Sequence, residues 1–253
     1  MSELERRIAE VLAVARSVVT YHGDAAKNAA MDALYARFVG PGGLAFDIGS
    51  HVGDRVASFR RLGARVVALE PQPGPAGVIT QIFEGDPDVT LLRAACGAAE
   101  GELMLKVNTA NPTVTTASTA FVASAAGAGG WEGQVWDREI TVPCLTLDRL
   151  IADHGAPDFV KIDVEGFEAD VLAGLSRPLP ALSFEFTTIQ RDVAKACLDR
   201  LAALGPYRFD VALGESQRMT FDAPVSAAEM AHHITGLPHE ANSGDVYAVI
   251  VKD

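Results

Sequence analysis

The stretch FDIGSHVGDRV, residues 46–56, decides how the rest of the chain is read. It begins inside the apolar run LAFDI (44–48), a strand candidate, and leads into a helix candidate over 54–62 that Gly63 stops. Asp47 therefore stands at the carboxyl end of a strand, where open α/β sheets bind their ligands. Gly49 lets the backbone turn sharply and allows a ligand to approach where a Cβ would clash. Gly53, four residues on, permits the following helix to pack close to the strand.

The spacing is not the G-x-G-x-x-G of dinucleotide sites. Ser50 and His51 stand where that pattern needs its middle glycine, and an acid precedes the first glycine. A carboxylate there repels a diphosphate and suits an ammonium or sulfonium ligand. Glu70 closes the next strand candidate, RVVALE (65–70), and Pro71 follows it. A strand-end acid in this place can accept hydrogen bonds from both ribose hydroxyls, so by itself it serves NAD and S-adenosylmethionine equally. Asp47 and Glu70 together favour S-adenosylmethionine, which carries both cations and no phosphate.

Outward from this element, strands and helices alternate. Towards the carboxyl end the pattern predicts a helix over 75–84 and strands at 89–92 and 100–107. It then predicts a strand running into a helix within 140–151, a strand and turn in DFVKIDVEG (158–166), and a helix over 166–175. ALSFEF (181–186), a helix over 191–205 and closing strands at 207–213 and 246–252 complete the reading. Such alternation implies a mostly parallel sheet with helices on both faces. Towards the amino end, Ser2 and Glu5 have capping-box spacing before a helix carrying Ile8, Leu12, Ala15 and Val19. A second helix after Asp24 carries Met31, Leu34, Tyr35 and Phe38, and Gly40 to Gly43 end it. This pair either caps the site or covers one face of the sheet. Residues 107–131 contain no charged side chain and read as a loop folding over the site, with Asn108, Asn111, Ser118, Thr119 and Trp131 as sources of acceptor contacts.

The 253 residues include 33 acidic and 21 basic side chains, a formal charge of −12, which disfavours nucleic acid and anionic membranes as partners. Three scattered cysteines, Cys96, Cys144 and Cys197, make no disulfide framework, and no apolar run reaches the roughly 18 residues of a membrane span. The charged start MSELERRIAE lacks the apolar core of a signal peptide, so the expectation is a cytoplasmic protein. The amphipathic first helix offers a surface for a homodimer.

FDIGSHVGDRV, VVALEPQP, PCLTLDRL and FVKIDVEGFEADVLAGL together resemble the FkbM-type methyltransferase family, with KIDVEGFE the most specific element. The resemblance extends from about residue 44 to 186 and more weakly to SGDVYA (243–248). It implies a Rossmann-like class I methyltransferase fold of seven mostly parallel strands, with residues 1–43 as an N-terminal helical cap and 44–253 as the methyltransferase domain, 107–139 being an active-site insertion. It implies S-adenosylmethionine as donor, S-adenosylhomocysteine as product and O-methylation of a small molecule. Asp47, Gly49, Ser50, Gly53, Glu70 and Pro71 fall in its cofactor-binding elements, and Ala95, within RAACG (93–97), falls where a turn contacting adenine is expected.

Methyl transfer to a hydroxyl needs in-line placement and removal of a proton, whereas a carboxylate acceptor needs no base. Lys161, Asp163 and Glu165 share one face of the KIDVE strand at period 2. Asp163 is expected beside the methyl group, as base or acceptor orienter and as part of the cofactor pocket; it is alternatively a salt-bridged partner of Lys161. Glu185, a charge in an apolar strand, is a further catalytic candidate, as is His51 in the cofactor loop; Glu165 and Glu168 are read as capping the next helix. His232 and His233 are read as surface residues, and Asp245 either sits near the site or only begins the last strand. No metal is expected, because no cluster shows ligand spacing. The alternatives are an NAD-type oxidoreductase and a catalytically silent module that binds S-adenosylmethionine.

Overall fold

The computed structural model describes residues 2–251. Helices α1 (Glu3–His22) and α2 (Ala25–Tyr35) come first. The capping box forms as spacing predicts: Ser2 N–H donates to Glu5 Oε2 (2.6 Å) and Glu5 N–H to Ser2 Oγ (3.2 Å). The alternating region follows as β1 (Leu44–Ile48), α3 (Asp54–Arg61), β2 (Arg65–Leu69), α4 (Pro73–Ile82) and β3 (Val89–Leu92). An excursion then contains β4 (Ala95–Cys96), β5 (Gly101–Val107), a 3-10 turn at Pro112–Val114, α5 (Thr119–Ala125) and β6 (Arg138–Leu145). The chain returns through α6 (Leu147–His154), β7 (Phe159–Ile162), α7 (Glu168–Ala173), β8 (Ala181–Thr187), α8 (Arg191–Leu204), β9 (Tyr207–Leu213), α9 (Ala227–Gly236) and β10 (Ser243–Ile250).

Seven strands form one sheet in the order β3-β2-β1-β7-β8-β10-β9, and β10 alone runs antiparallel to its neighbours. This is the Rossmann-like class I methyltransferase arrangement. The chain leaves β1 towards β2 and β3 and later returns on the other side of β1 to lay down β7, so the strand order reverses between β1 and β7. A crevice opens beyond the carboxyl ends of strands at such a reversal.

Two strand candidates stand outside this sheet. β5 and β6 pair with the short β4 in a second, three-stranded sheet, β4-β6-β5. Burial explains the partition: every residue of β1 and β7 is buried, whereas β5 is exposed over much of its length. RAACG, read as a turn, supplies β4. The segment 107–131 is also more ordered than a loop reading implies, since α5 packs Phe121 and Ala125 against Trp131 in a small core of its own.

One face of the main sheet is covered by α6, α7, α8 and α9, which contribute Leu147, Leu150, Leu172, Leu198 and Met230 to the largest apolar cluster. The other face receives α2 and α3, with Met31, Tyr35 and Phe59 against Phe159 and Tyr247. The two readings of the N-terminal helices therefore divide: α2 covers the sheet, while the last turn of α1 brings Tyr21 to the cavity described below. His232 is exposed, but His233 is half-buried edge-on to Phe221, which corrects its reading as a surface residue. Among the described residues no helix is long and apolar enough to cross a membrane.

Candidate active site

A cavity of about 1000 Å³, including its mouth, lies where the strand order reverses. Its floor is the β1–α3 turn. Gly49 has φ +85°, and a Cβ there would stand 1.9 Å from the carbonyl oxygen of Asp163, so only glycine fits between the ends of β1 and β7. Gly53 also has positive φ (+81°), but a Cβ there would meet Ile79 of α4 at 3.0 Å. Its close approach is therefore to α4, not to the strand. The N–H groups of Gly49 and Ser50 both donate to Leu69 O (3.0 and 2.9 Å), and Ser50 Oγ donates to Asp47 O (2.8 Å). These bonds lock the turn to the end of β2.

Asp47 is 1% exposed, and its Oδ2 has no hydrogen-bond partner among the described residues. Burial raises its pKa to about 7, with the Asp54 charge adding to the effect. A buried carboxylate oxygen without a donor, lining a cavity, is a place for a ligand's cation. Glu70, 3% exposed, accepts the N–H of His51 (2.8 Å) on Oε2 and the N–H of Gln72 (2.7 Å) on Oε1. Burial nevertheless pushes it up to about 8. Each oxygen keeps a lone pair for the cavity, and Pro71, Ala95 and Cys96 line the same space.

His51 has φ +46°, stands edge-on to Tyr21 at 5.7 Å, and is pulled down to about 4 by burial. Its imidazole is therefore neutral, with Nδ1 unpartnered and Nε2 3.5 Å from Thr113 Oγ1. Gln72 donates to Pro112 O (3.1 Å) and accepts from Thr115 Oγ1 (2.9 Å), which ties residues 112–115 down as a cavity wall.

Across the cavity, Lys161, 1% exposed, donates to Asp163 Oδ2 (3.0 Å) and to Asp245 Oδ1 (2.6 Å). The salt bridge weighed for Asp163 is thus present, and Asp245 belongs to the site. Register explains the gathering: Asp47 pairs with Lys161, and Asp245 with Glu185. One carboxylate oxygen each from Asp163, Glu165 and Glu185 lies within 4.8 Å of the others. β7 ends at Ile162, so period 2 fails beyond it; Glu165 reaches the cluster through a left-handed φ of +55°. Glu165 is therefore a cluster member and not a helix cap, whereas Glu168 accepts the N–H groups of Val164 and Gly166 (3.1 and 3.2 Å). No sequence spacing reveals three carboxylates drawn from two separate strand ends.

The group titrates in opposite directions. Burial works to raise Asp163, but the Lys161 and Arg55 cations hold it below the usual carboxylate range. Glu165 and Glu185 are raised well above theirs, by burial first and then by the Asp163 charge.

Of the residues proposed for catalysis or cofactor binding, all but Gly53 line this one cavity: Asp47, Gly49, Ser50, His51, Glu70, Pro71, Ala95, Lys161, Asp163 and Glu185. Of the insertion, Pro112, Thr113, Thr115 and Ala117 reach it. Asn108 instead accepts the N–H groups of Ala110 and Asn111, Ser118 caps α5, and Trp131 packs on Phe121. Unforeseen from sequence are Tyr21, Gln72, Arg55 and Glu215. Arg55 carried a signal, because it is a charged residue in the decisive motif; it is 8% exposed, held by Asp54 and by Glu215 from the β9–α9 connection (3.4 Å).

Sheet order and the place of the cavity define a fold of the class I methyltransferase type. The chain belongs to the methyltransferase FkbM domain family, whose model matches residues 47–205. A hexuronic acid methyltransferase, AglP, of Haloferax volcanii is 25% identical over 151 residues, 58% of this chain; the chain spans 56% of the length of that relative. Among solved structures, an O-methyltransferase from Bacillus cereus in complex with SAH superposes with TM-score 0.48 at 12% identity, covering 99% of this chain and 92% of that one. A precorrin-6y C5,15-methyltransferase from Geobacter metallireducens gives TM-score 0.46 at 16% identity, covering 88% and 87%.

Proposed function

We propose that the chain methylates a hydroxyl oxygen of a small molecule, with Asp163 taking the proton. The observation that carries this reading is the single cavity in which the unpartnered Asp47 carboxylate faces the same space as Asp163, Glu165 and Glu185. When bound, S-adenosylmethionine supplies a methyl group on a positively charged sulfur. Asp47 and Glu70 suit its ammonium and ribose, and Gly49 clears the backbone; Arg55 lines the same cavity with its guanidinium already paired to Asp54 and Glu215.

The acceptor end separates acid from base. Asp163 is held ionised by Lys161, while Glu165 and Glu185 retain protons and can donate to acceptor oxygens. With the donor bound, methyl transfer would leave S-adenosylhomocysteine, and Asp163 would hold the proton that the acceptor oxygen gives up. An acceptor arriving as a carboxylate would meet this acidic end as a like charge; a hydroxyl arrives neutral. The Haloferax relative makes sugars and uronic acids the first acceptors to try.

Turnover of such a panel with labelled donor tests the reading. The expected product is a methyl ether, stable to mild alkali; an alkali-labile methyl ester would replace the hydroxyl by a carboxylate. Asp163→Asn is expected to lower turnover by about 10²–10⁴-fold, with donor affinity changed far less. An unchanged rate would remove Asp163 from the chemistry.

A further inference from the structure

Helix α1 is held from one side only. Ala13, Val14 and Ser17 are buried towards α4 and the 3-10 turn. Arg16 donates to Ala110 O (2.8 Å), and His22 Nε2 lies 2.9 Å from Val52 O. The opposite side carries Leu4, Ile8, Val11, Leu12 and Val19, each 51–74% exposed, with Ala15 between them. At about 100° per residue these six fall within an arc of roughly 100°, one continuous aliphatic stripe about 25 Å long. An apolar patch of that extent on a solvent face marks an interaction surface.

The charges bordering the stripe select the occupant. Glu5, near the start of the helix, and Arg16, near its end, lie on the same edge, and their bonds to Ser2 N–H and Ala110 O engage one oxygen of Glu5 and one terminal nitrogen of Arg16. In a two-fold antiparallel helix pair like edges face each other, so Glu5 of each copy meets Arg16 of the other. A parallel pair would instead set Arg16 against the edge that carries Val18. A lipid surface is matched poorly, because surface-seeking helices carry a Lys/Arg-rich polar face. Here α1 holds Arg6, Arg7 and Arg16 against Glu3, Glu5 and Glu10, on a chain of charge −12. We propose that α1 pairs antiparallel with α1 of a second copy of this chain, covering the stripe. Because the last turn of α1 carries Tyr21 onto the cavity, the pairing also holds one wall of the site in place.

Sedimentation equilibrium of the full chain tests this. The wild type is expected to dimerise, Val11→Glu and Leu12→Glu to remain monomeric with unchanged circular dichroism, and Arg16→Glu to associate at least about tenfold more weakly. Copper-phenanthroline oxidation gives the geometry. Val11→Cys, near the two-fold axis, is expected to cross-link to itself, and Leu4→Cys is not; the three native thiols are buried. The proposal is overturned if the wild type is monomeric up to about 200 µM, if the dimer survives Val11→Glu, or if Leu4→Cys cross-links in preference. Partition of a monomeric chain into neutral phosphatidylcholine vesicles would assign the stripe to lipid and overturn it equally.

Discussion

The two ends of the cavity solve the burial of carboxylates differently. At the end assigned to the donor, Asp47 and Glu70 come from adjacent strands and have no cation bonded to them; Glu70 is satisfied by two backbone N–H groups, and Asp47 keeps an orphan oxygen. At the acceptor end, Asp163 and Asp245 share the ammonium of Lys161, and Glu165 and Glu185 crowd against them. Charge at the first end is left open for a ligand. Burial raises the acids at both ends, but at the second the Lys161 ammonium offsets part of the charge and holds Asp163 low while Glu165 and Glu185 are raised. On the proposed reading, the same residue type serves binding at one end and proton transfer at the other because of what surrounds it.

The sharpest way to break this division is at the point where the ends touch. Gly49→Ala puts a Cβ into the backbone of Asp163 and demands positive φ. That conformation alone costs about 1–3 kcal/mol before the overlap is counted. Calorimetry is expected to detect no donor binding, and retained affinity would show that the turn can rebuild.

Lys161→Met should come next. Removing one partner of a buried ion pair costs about 3–5 kcal/mol in denaturant unfolding. Its sign with pH is diagnostic. In the wild type the depressed Asp163 contributes stability above its unfolded pKa, lost as pH falls through the folded one. Without Lys161, Asp163 is raised instead, and Asp245, which burial already raises, goes further up, so stability is present at low pH and lost as pH rises. The variant is therefore expected to be less handicapped at pH 5 than at pH 8, and a handicap independent of pH would assign Lys161 a purely steric role.

Asp47→Ala should leave the fold intact, because it deletes a carboxylate that burial already penalises. It is expected to weaken donor binding by about 1.5–3 kcal/mol, the loss of one charged hydrogen bond. The smallest effect is the pH dependence of wild-type binding. Asp47, at about 7, attracts an ammonium only when ionised, so donor affinity should rise by up to about tenfold between pH 6 and 8. Calorimetry in buffers of different ionisation enthalpy should show protons released on binding; a flat profile would place the cation elsewhere.

The donor end was legible before the structure because it is local. A strand, a glycine turn and a helix start lie within FDIGSHVGDRV, and Glu70 ends the very next strand, so spacing places both acids. The acceptor end was legible only in parts. Lys161 and Asp163 stood out as charges in an apolar strand, but nothing in the sequence joins them to Glu185 or Asp245, which arrive through the pairing of β7, β8 and β10. Glu165 was misplaced because a left-handed residue follows the strand and cancels the alternation.

The same limit governs the fold. Apolar periodicity and glycine stops determined nearly every helix and strand, and the order of alternation determined a parallel sheet, because these depend on neighbours along the chain. Which strands share a sheet was decided by tertiary burial: β5 and β6 read like the others, yet they form a second layer because the main sheet is already covered on both faces. Tertiary structure also decided that Arg55 and Tyr21 face the cavity and that one lysine serves two aspartates. Those facts depend on distance in space, and through it on protonation, which no spacing along the sequence encodes.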